Sequence, residues 1–286
     1  MPTPFADKLS TFLSRLSATA KSAVKLALSS RSVNIPHIRR DAPLYILGNG
    51  PSLRDNIEND LDLLRHNDTL AVNFAANAPE FALIQPNFYV LADPHFFQRP
   101  DDPNVAKLLA SLNAVTWPMT LFIPVKACLA PGTICNNNIT LRRFNFIAAE
   151  GFPWFENLAF SHRRAMPRPR NVLIPSIMIG LWLGYTEIRL LGADHSWLKT
   201  ISVDDNNRVV SIQPHFYKED SREQQRIRTA YLSLPLHQVL ESFHIAFRSY
   251  HRIRSFADRQ GVHILNCTPD SFIDAFDRAT TVKTTR

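Results

Sequence analysis

The sequence predicts an α/β protein built on a doubly wound, mostly parallel sheet. Short apolar runs of strand length alternate with longer runs of helical period over most of residues 44–277. The first run, Leu44-Tyr45-Ile46-Leu47, breaks into a small-residue turn, Gly48-Asn49-Gly50-Pro51-Ser52, and restarts as a helix. Later runs end in the same way on small or polar residues, at Asn73, at Asp93 to His95 and at Asp194-His195. Parallel sheets bind their ligands beyond the carboxyl ends of the strands, which is where all of these residues fall.

Residues 1–30 read as a basic amphipathic helix. Phe5, Leu9, Phe12, Leu13, Leu16, Ala20, Val24 and Leu28 recur at helical spacing, with Lys8, Arg15, Lys21 and Lys25 off that stripe. Two uses of such a helix stay open: packing on its own domain or a partner subunit, and contact with a membrane surface. Lys8, Arg15 and Lys21 interrupt the apolar core that a signal peptide needs. Residues 31–43, with Pro36, Arg39, Arg40 and Pro43, read as a linker, 44–280 as the α/β domain, and 281–286 as a tail.

Within the domain, strands are expected at 44–47, 69–72, 88–91, 121–125, 139–144, 187–191 and 262–265. Helices are expected at 53–64, 104–112, 176–183, 236–260 and 271–276. This alternation is Rossmann-like. The long helix over 236–260 carries Leu236, Val239, Leu240, Phe243, Phe247 and Tyr250 on one face, which suits a core element and would also serve to pair subunits in a homo-oligomer. Residues 145–171 show little periodicity and end in an arginine- and proline-rich stretch, His162-Arg163-Arg164-Ala165-Met166-Pro167-Arg168-Pro169-Arg170, expected to be an irregular lid. A second irregular segment spans 195–218.

Composition narrows the function. A chain of 286 residues that is 45% hydrophobic can bury one large core. Lys plus Arg number 32 against 25 Asp plus Glu, a net +7 that favours anionic ligands or a membrane surface. No helix-turn-helix, zinc-finger or RRM signature accompanies the arginines, so nucleic acid is not the expected partner. The three cysteines, Cys128, Cys135 and Cys267, lack the spacing of a zinc site or a disulfide framework and fit a reducing cytoplasm. No run of about 18 apolar residues offers a transmembrane span.

The turn at Gly48 to Ser52 suits an anion, because glycine allows close backbone approach and a helix start presents unpaired N–H groups. It lacks the Gly-Lys-Ser/Thr of a P-loop and the three-glycine dinucleotide spacing, so it reads as a nucleotide-phosphate or nucleotide-sugar loop, with an ordinary βα turn capped by Ser52 as the alternative. Guanidinium groups bind phosphate in bidentate fashion, which makes Arg163 and Arg164 phosphate-binding candidates.

Over most of residues 44–277 the chain resembles the small bacterial lipooligosaccharide sialyltransferases and, more broadly, the related flagellin-glycosyltransferase and hydroxymethylpterin-pyrophosphokinase-like domains. The resemblance is carried by Gly48-Asn49-Gly50-Pro51-Ser52, by Asn73-Phe74, by Pro175-Ser176-Ile177-Met178 with Leu183 to Asp194, and by Asn266-Cys267-Thr268-Pro269-Asp270-Ser271. It implies transfer, with inversion, of a nonulosonic sugar from a CMP donor to a bacterial surface glycan or glycolipid such as lipopolysaccharide, without an essential metal, at the cytoplasmic or peripheral inner-membrane face. It implies donor contacts from Gly48, Asn49, Gly50, Ser52, Asn73, Asp93, Ser176 and Asp194, a histidine base best matched by His215 with His195 second, and Tyr217 at the departing phosphate. One departure from the pattern is Asp93, which stands where the sialyltransferases have an asparagine; a carboxylate there would repel that of a sialic acid. The pyrophosphokinase-like relatives imply the alternative, a phosphotransferase with Mg²⁺ held by Asp93 and Asp194. A scaffold of the same fold without catalysis is the third reading.

Overall fold

The computed structural model describes residues 4–38, 41–210 and 234–279. An eight-stranded sheet forms its centre, in the order β10-β9-β6-β1-β2-β3-β4-β5, and every pairing in it is parallel. The strands are β1 (Leu44–Leu47), β2 (Asp68–Val72), β3 (Phe88–Val90), β4 (Met119–Pro124), β5 (Ile139–Phe144), β6 (Glu187–Leu191), β9 (His263–Asn266) and β10 (Asp277–Arg278). The chain winds outward from β1 through β2 to β5, then returns to place β6 on the other side of β1. The switch point between β1 and β6 is where a doubly wound sheet opens a ligand crevice.

All four residues of β1 are buried, because helices cover both faces. Leu44, Ile46, Leu70, Val72, Phe122 and Leu190 point to one layer, and Tyr45, Leu47, Ala71, Tyr89, Leu121 and Leu191 to the other. The first layer is packed by α6 (Pro153–Ser161), α7 (Leu173–Leu183) and α8 (Leu236–Asp258); the second by α2 (Leu53–His66), α3 (Glu80–Ile84) and α5 (Pro103–Asn113). Every residue of α7 is buried, which explains its apolar composition all round. It stops at Gly184, whose φ of 92° is open to glycine and whose missing Cβ makes room for the His37 ring. Between β3 and α5 lies the short α4 (His95–Gln98), and α1 (Pro4–Ser29) precedes the domain.

The structure corrects four expectations. No helix forms over residues 271–276; that segment is a loop leading into β10. Residues 145–171 are not wholly irregular, since α6 lies inside them, started by Pro153 at a first turn that needs no N–H from it. The described part of the 31–43 linker is docked: Ile35 is fully buried, the Ile38 N–H donates to the Leu183 carbonyl at 2.6 Å, and Asn145 bonds both backbone groups of Arg31. The segment after His195 holds a 3₁₀ turn and a small hairpin, β7 (Ser202–Val203) with β8 (Val209–Val210), whose Asp204 accepts from its own turn. Residues 211–218 lie outside the described residues.

Candidate functional site

The ends of β1, β2, β3 and β6 open into one cleft of about 370 Å³. Asn49 and Gly50 after β1, Asn73 after β2, Asp93 after β3, and Gly192, Asp194 and His195 after β6 line it, together with Arg170 and Asn171 ahead of α7.

The Gly48–Ser52 turn is built around the β6 loop. Gly48 N–H donates to the Leu191 carbonyl at 2.7 Å and Gly50 N–H to the Gly192 carbonyl at 2.8 Å. A Cβ on Gly48 would lie 2.4 Å from the Gly192 oxygen, and one on Gly50 would lie 1.8 Å from Asp194 Oδ2. These glycines therefore serve close approach rather than positive φ. Ser52 is not a side-chain N-cap: its Oγ donates to Asp194 Oδ2 at 2.8 Å and its N–H to Asp194 Oδ1 at 3.3 Å. The anion at the start of α2 is thus the protein's own carboxylate, and the expected backbone cradle for phosphate is already filled. Burial pushes the Asp194 carboxyl above its usual range, and the Ser52 bonds oppose that shift without cancelling it. Thr268 and Ser271 brace this loop: Ala193 N–H donates to Thr268 Oγ1 at 2.9 Å, and Ser271 Oγ donates to the Ala193 carbonyl at 2.5 Å.

Asn49 and Asn73 carry the strongest sign of a missing ligand. Among the described residues, the Oδ1 of each is buried without a hydrogen-bond partner while its residue lines the cleft. Asn49 is oriented by donating from Nδ2 to the Val72 carbonyl at 3.4 Å. Asn73 sits at φ 52°, a left-handed position that asparagine tolerates, and the Tyr89 hydroxyl clamps its turn by donating to the Asn73 carbonyl at 2.5 Å and accepting from Ala76 N–H at 2.9 Å.

His195 is buried at the cleft wall, also with φ in the left-handed region, at 51°. Its Nε2 lies 2.6 Å from the Tyr250 hydroxyl, which in turn lies 3.0 Å from Asn171 Oδ1. Asn171 Oδ1 accepts the Leu173 and Ile174 N–H groups at the start of α7, at 3.1 and 3.3 Å, so the single Tyr250 proton goes to Asn171. The Asn171 amide nitrogen also lies 3.4 Å from His195 Nε2, so Tyr250 and Asn171 together hold this ring nitrogen. Burial lowers the imidazole pKa to about 3, keeping it a neutral acceptor at physiological pH.

The structure separates the remaining sequence candidates. Ser176 is fully buried in α7, its Oγ donating to the Val172 carbonyl at 2.8 Å, so it faces its own helix and not the cleft. Arg163 staples the 31–38 segment instead of binding phosphate: its guanidinium donates to the Ile35 carbonyl and, at 3.3 Å, to that of Trp182. Arg164 is exposed and off the cleft, whereas Arg170, six residues on in the same basic stretch, lines it. His215 and Tyr217 lie outside the described residues. Asp93 is exposed on the cleft rim and holds the His95 N–H at 2.9 Å, and no group of three or more His, Cys, Asp or Glu side chains among the described residues is arranged to hold a metal. Sequence reasoning passed over Asn171 and Tyr250. The place of Asn171 directly ahead of an apolar run was its one local signal, and Tyr250 read as a core residue.

No family profile and no curated protein sequence matches the chain. Among solved structures it is similar to the MAf glycosyltransferase from Magnetospirillum magneticum AMB-1, with 14% identity and a TM-score of 0.52 over 92% of this chain. The chain spans 38% of that protein's length. What is shared is the Rossmann-like α/β fold.

Proposed function

We propose that this protein is a glycosyltransferase that takes a nucleotide-activated sugar, a CMP-linked nonulosonic acid, and extends a bacterial surface glycan with inversion. The observation that carries the reading is the pair of unpartnered amide oxygens, Asn49 Oδ1 and Asn73 Oδ1, in a cleft at the sheet's switch point. Acceptor atoms so placed suit the hydroxyls of a ribose or the exocyclic amine of a cytosine. Arg170 supplies the bidentate donor for the donor phosphate, because the N–H groups of the glycine turn are committed to the β6 loop. The acceptor hydroxyl attacks the anomeric carbon, the bond from that carbon to the phosphate oxygen breaks, the hydroxyl proton passes to the departing phosphate, and the nucleotide leaves on Arg170. The likeness to a MAf glycosyltransferase supports this reading at the level of fold.

Calorimetric titration with CMP and CMP-sugars tests it. Asn49→Ala and Asn73→Ala should each weaken binding roughly tenfold, the scale of one hydrogen bond to a buried acceptor, and Ser176→Ala should leave it unchanged. Failure of every cytidine nucleotide and CMP-sugar to bind would remove the donor assignment. Sugar transfer that survives EDTA separates this chemistry from a Mg²⁺-dependent phosphotransfer.

A further inference from the structure

α1 is held to the body by its polar side. Thr19 Oγ1 accepts the Phe152 N–H at 2.9 Å, and Ser22 Oγ donates to the Glu150 carbonyl at 2.9 Å while accepting the Glu150 N–H at 3.0 Å. Gly151 lets the two backbones meet, since a Cβ there would lie 2.7 Å from Thr19 N. At 3.6 residues per turn, Leu9, Leu13, Leu16, Val24 and Leu28 fall on the opposite side. Their exposure runs from 47% at Leu9 to 72% at Leu28, and every residue from Asp7 to Ser17 is exposed. On α6, which starts against α1 at a Phe12–Phe152 ring contact of 5.4 Å, Trp154 and Leu158 stand one turn apart at 63% and 54% exposure.

Charge selects the occupant. Lys21 and Lys25, which flank the apolar side, are exposed on α1, as are Lys8 and Arg15 on the Thr19 side, against the single carboxylate Asp7. Pairing this helix with a second copy would set like charges against each other, whereas an anionic surface complements them. We propose that α1 and the start of α6 form a docking surface for an anionic lipid bilayer, with α1 lying in the plane of the interface and Trp154 at headgroup depth. The docking stands apart from the glycosyltransferase reading, but it would serve that reading. Lys25 and Ser29 at the far end of α1 line a mainly apolar cavity of about 490 Å³ that shares Ala92, Pro94 and Phe146 with the cleft. A lipid-linked acceptor could therefore reach the cleft from a docked bilayer.

Co-flotation of the full chain with phosphatidylcholine vesicles, with and without an equal part of phosphatidylglycerol, tests the proposal. The protein should float with the anionic vesicles and release at high salt. The exposed double substitution Leu13→Asp/Leu16→Asp should cut binding by about tenfold or more at an unchanged melting temperature. Trp154→Ser, on the other helix, should weaken it independently, and Lys21→Glu/Lys25→Glu should abolish the preference for anionic lipid. Absence of flotation with anionic vesicles overturns the proposal. So does a concentration-dependent dimer in light scattering that Leu13→Asp/Leu16→Asp dissolves, which would assign the face to a second copy. Nucleotide titration on the same preparation reports separately on the cleft.

Discussion

At the scale of single residues, the cleft combines groups left unsatisfied with groups held firmly. His195 is the clearest of the second kind, and its burial makes a pH prediction. Its folded pKa of about 3 lies below the reference 6.5, so the unfolded chain binds a proton that the folded one refuses. The contribution of His195 is complete above pH 6.5 and is lost as pH falls, by about 1.4 kcal/mol per unit. Wild-type protein should therefore melt progressively earlier between pH 7 and pH 5, and His195→Gln should flatten that slope; parallel slopes would mean that water reaches the imidazole. Gly48→Ala tests the turn, because the new Cβ meets the backbone oxygen of Gly192. An overpacking loss of about 2 kcal/mol or more should appear in urea unfolding. Asn49, Gly50, Asn73 and Asp194 were legible in the sequence because each follows an apolar strand. Arg170 was not singled out from its basic neighbours, since their different roles follow from where α6 ends and how residues 31–38 lie across α7. The Asn171–Tyr250 pair spans 79 residues and has no local pattern.

At the scale of elements, one carboxylate joins the segment after β5 to α8. Glu150 faces Arg248 at 2.9 Å and Arg252 at 3.2 Å, and it also pairs with Arg168. Burial alone would raise its pKa, but the Arg168 bond and the surrounding guanidiniums hold it below the usual range. Glu150→Ala leaves those cations facing each other around a partly buried space, so a loss of about 2 kcal/mol and a lower melting temperature are expected, with Glu150→Gln intermediate. The contribution of Glu150 is present above the unfolded carboxyl value and lost as pH falls through its lowered folded value, so the gap between wild type and Glu150→Ala should narrow in acid. Strands β1 and β6 were legible to the residue because short, mostly apolar runs bounded by turns fix where a strand starts and stops, and β5 was read to the same bounds although it is an edge strand carrying Arg142 and Arg143. The 271–276 helix was misread from apolar spacing alone. Its Ser271 and Phe272 instead bond the Ala193 and Asp194 carbonyls, and this tertiary pairing outweighs a weak local propensity.

At the scale of the whole molecule, the parallel sheet gathers distant strand ends into one cleft, and α1 stands outside that core. The doubly wound class was readable because alternating strand and helix periods admit few topologies, while the packing of α1 was not: its apolar stripe left both a packed face and a membrane face open, and Thr19, Ser22 and Gly151 turn the polar side inward. Residues 7–17 bury little against the body, so the folded state gains almost nothing from them. A chain lacking residues 1–17 should melt within about 1 kcal/mol of the full chain and bind nucleotide with the same affinity, because Thr19, Ser22 and the cleft-side Lys25 and Ser29 all remain. A saturating nucleotide at 100 times its Kd should then stabilise both forms equally, by about 2.7 kcal/mol. Thermal melts of the two forms with and without CMP-sugar measure this, and a truncated chain that unfolds early would show that the first turns of α1 are part of the core after all.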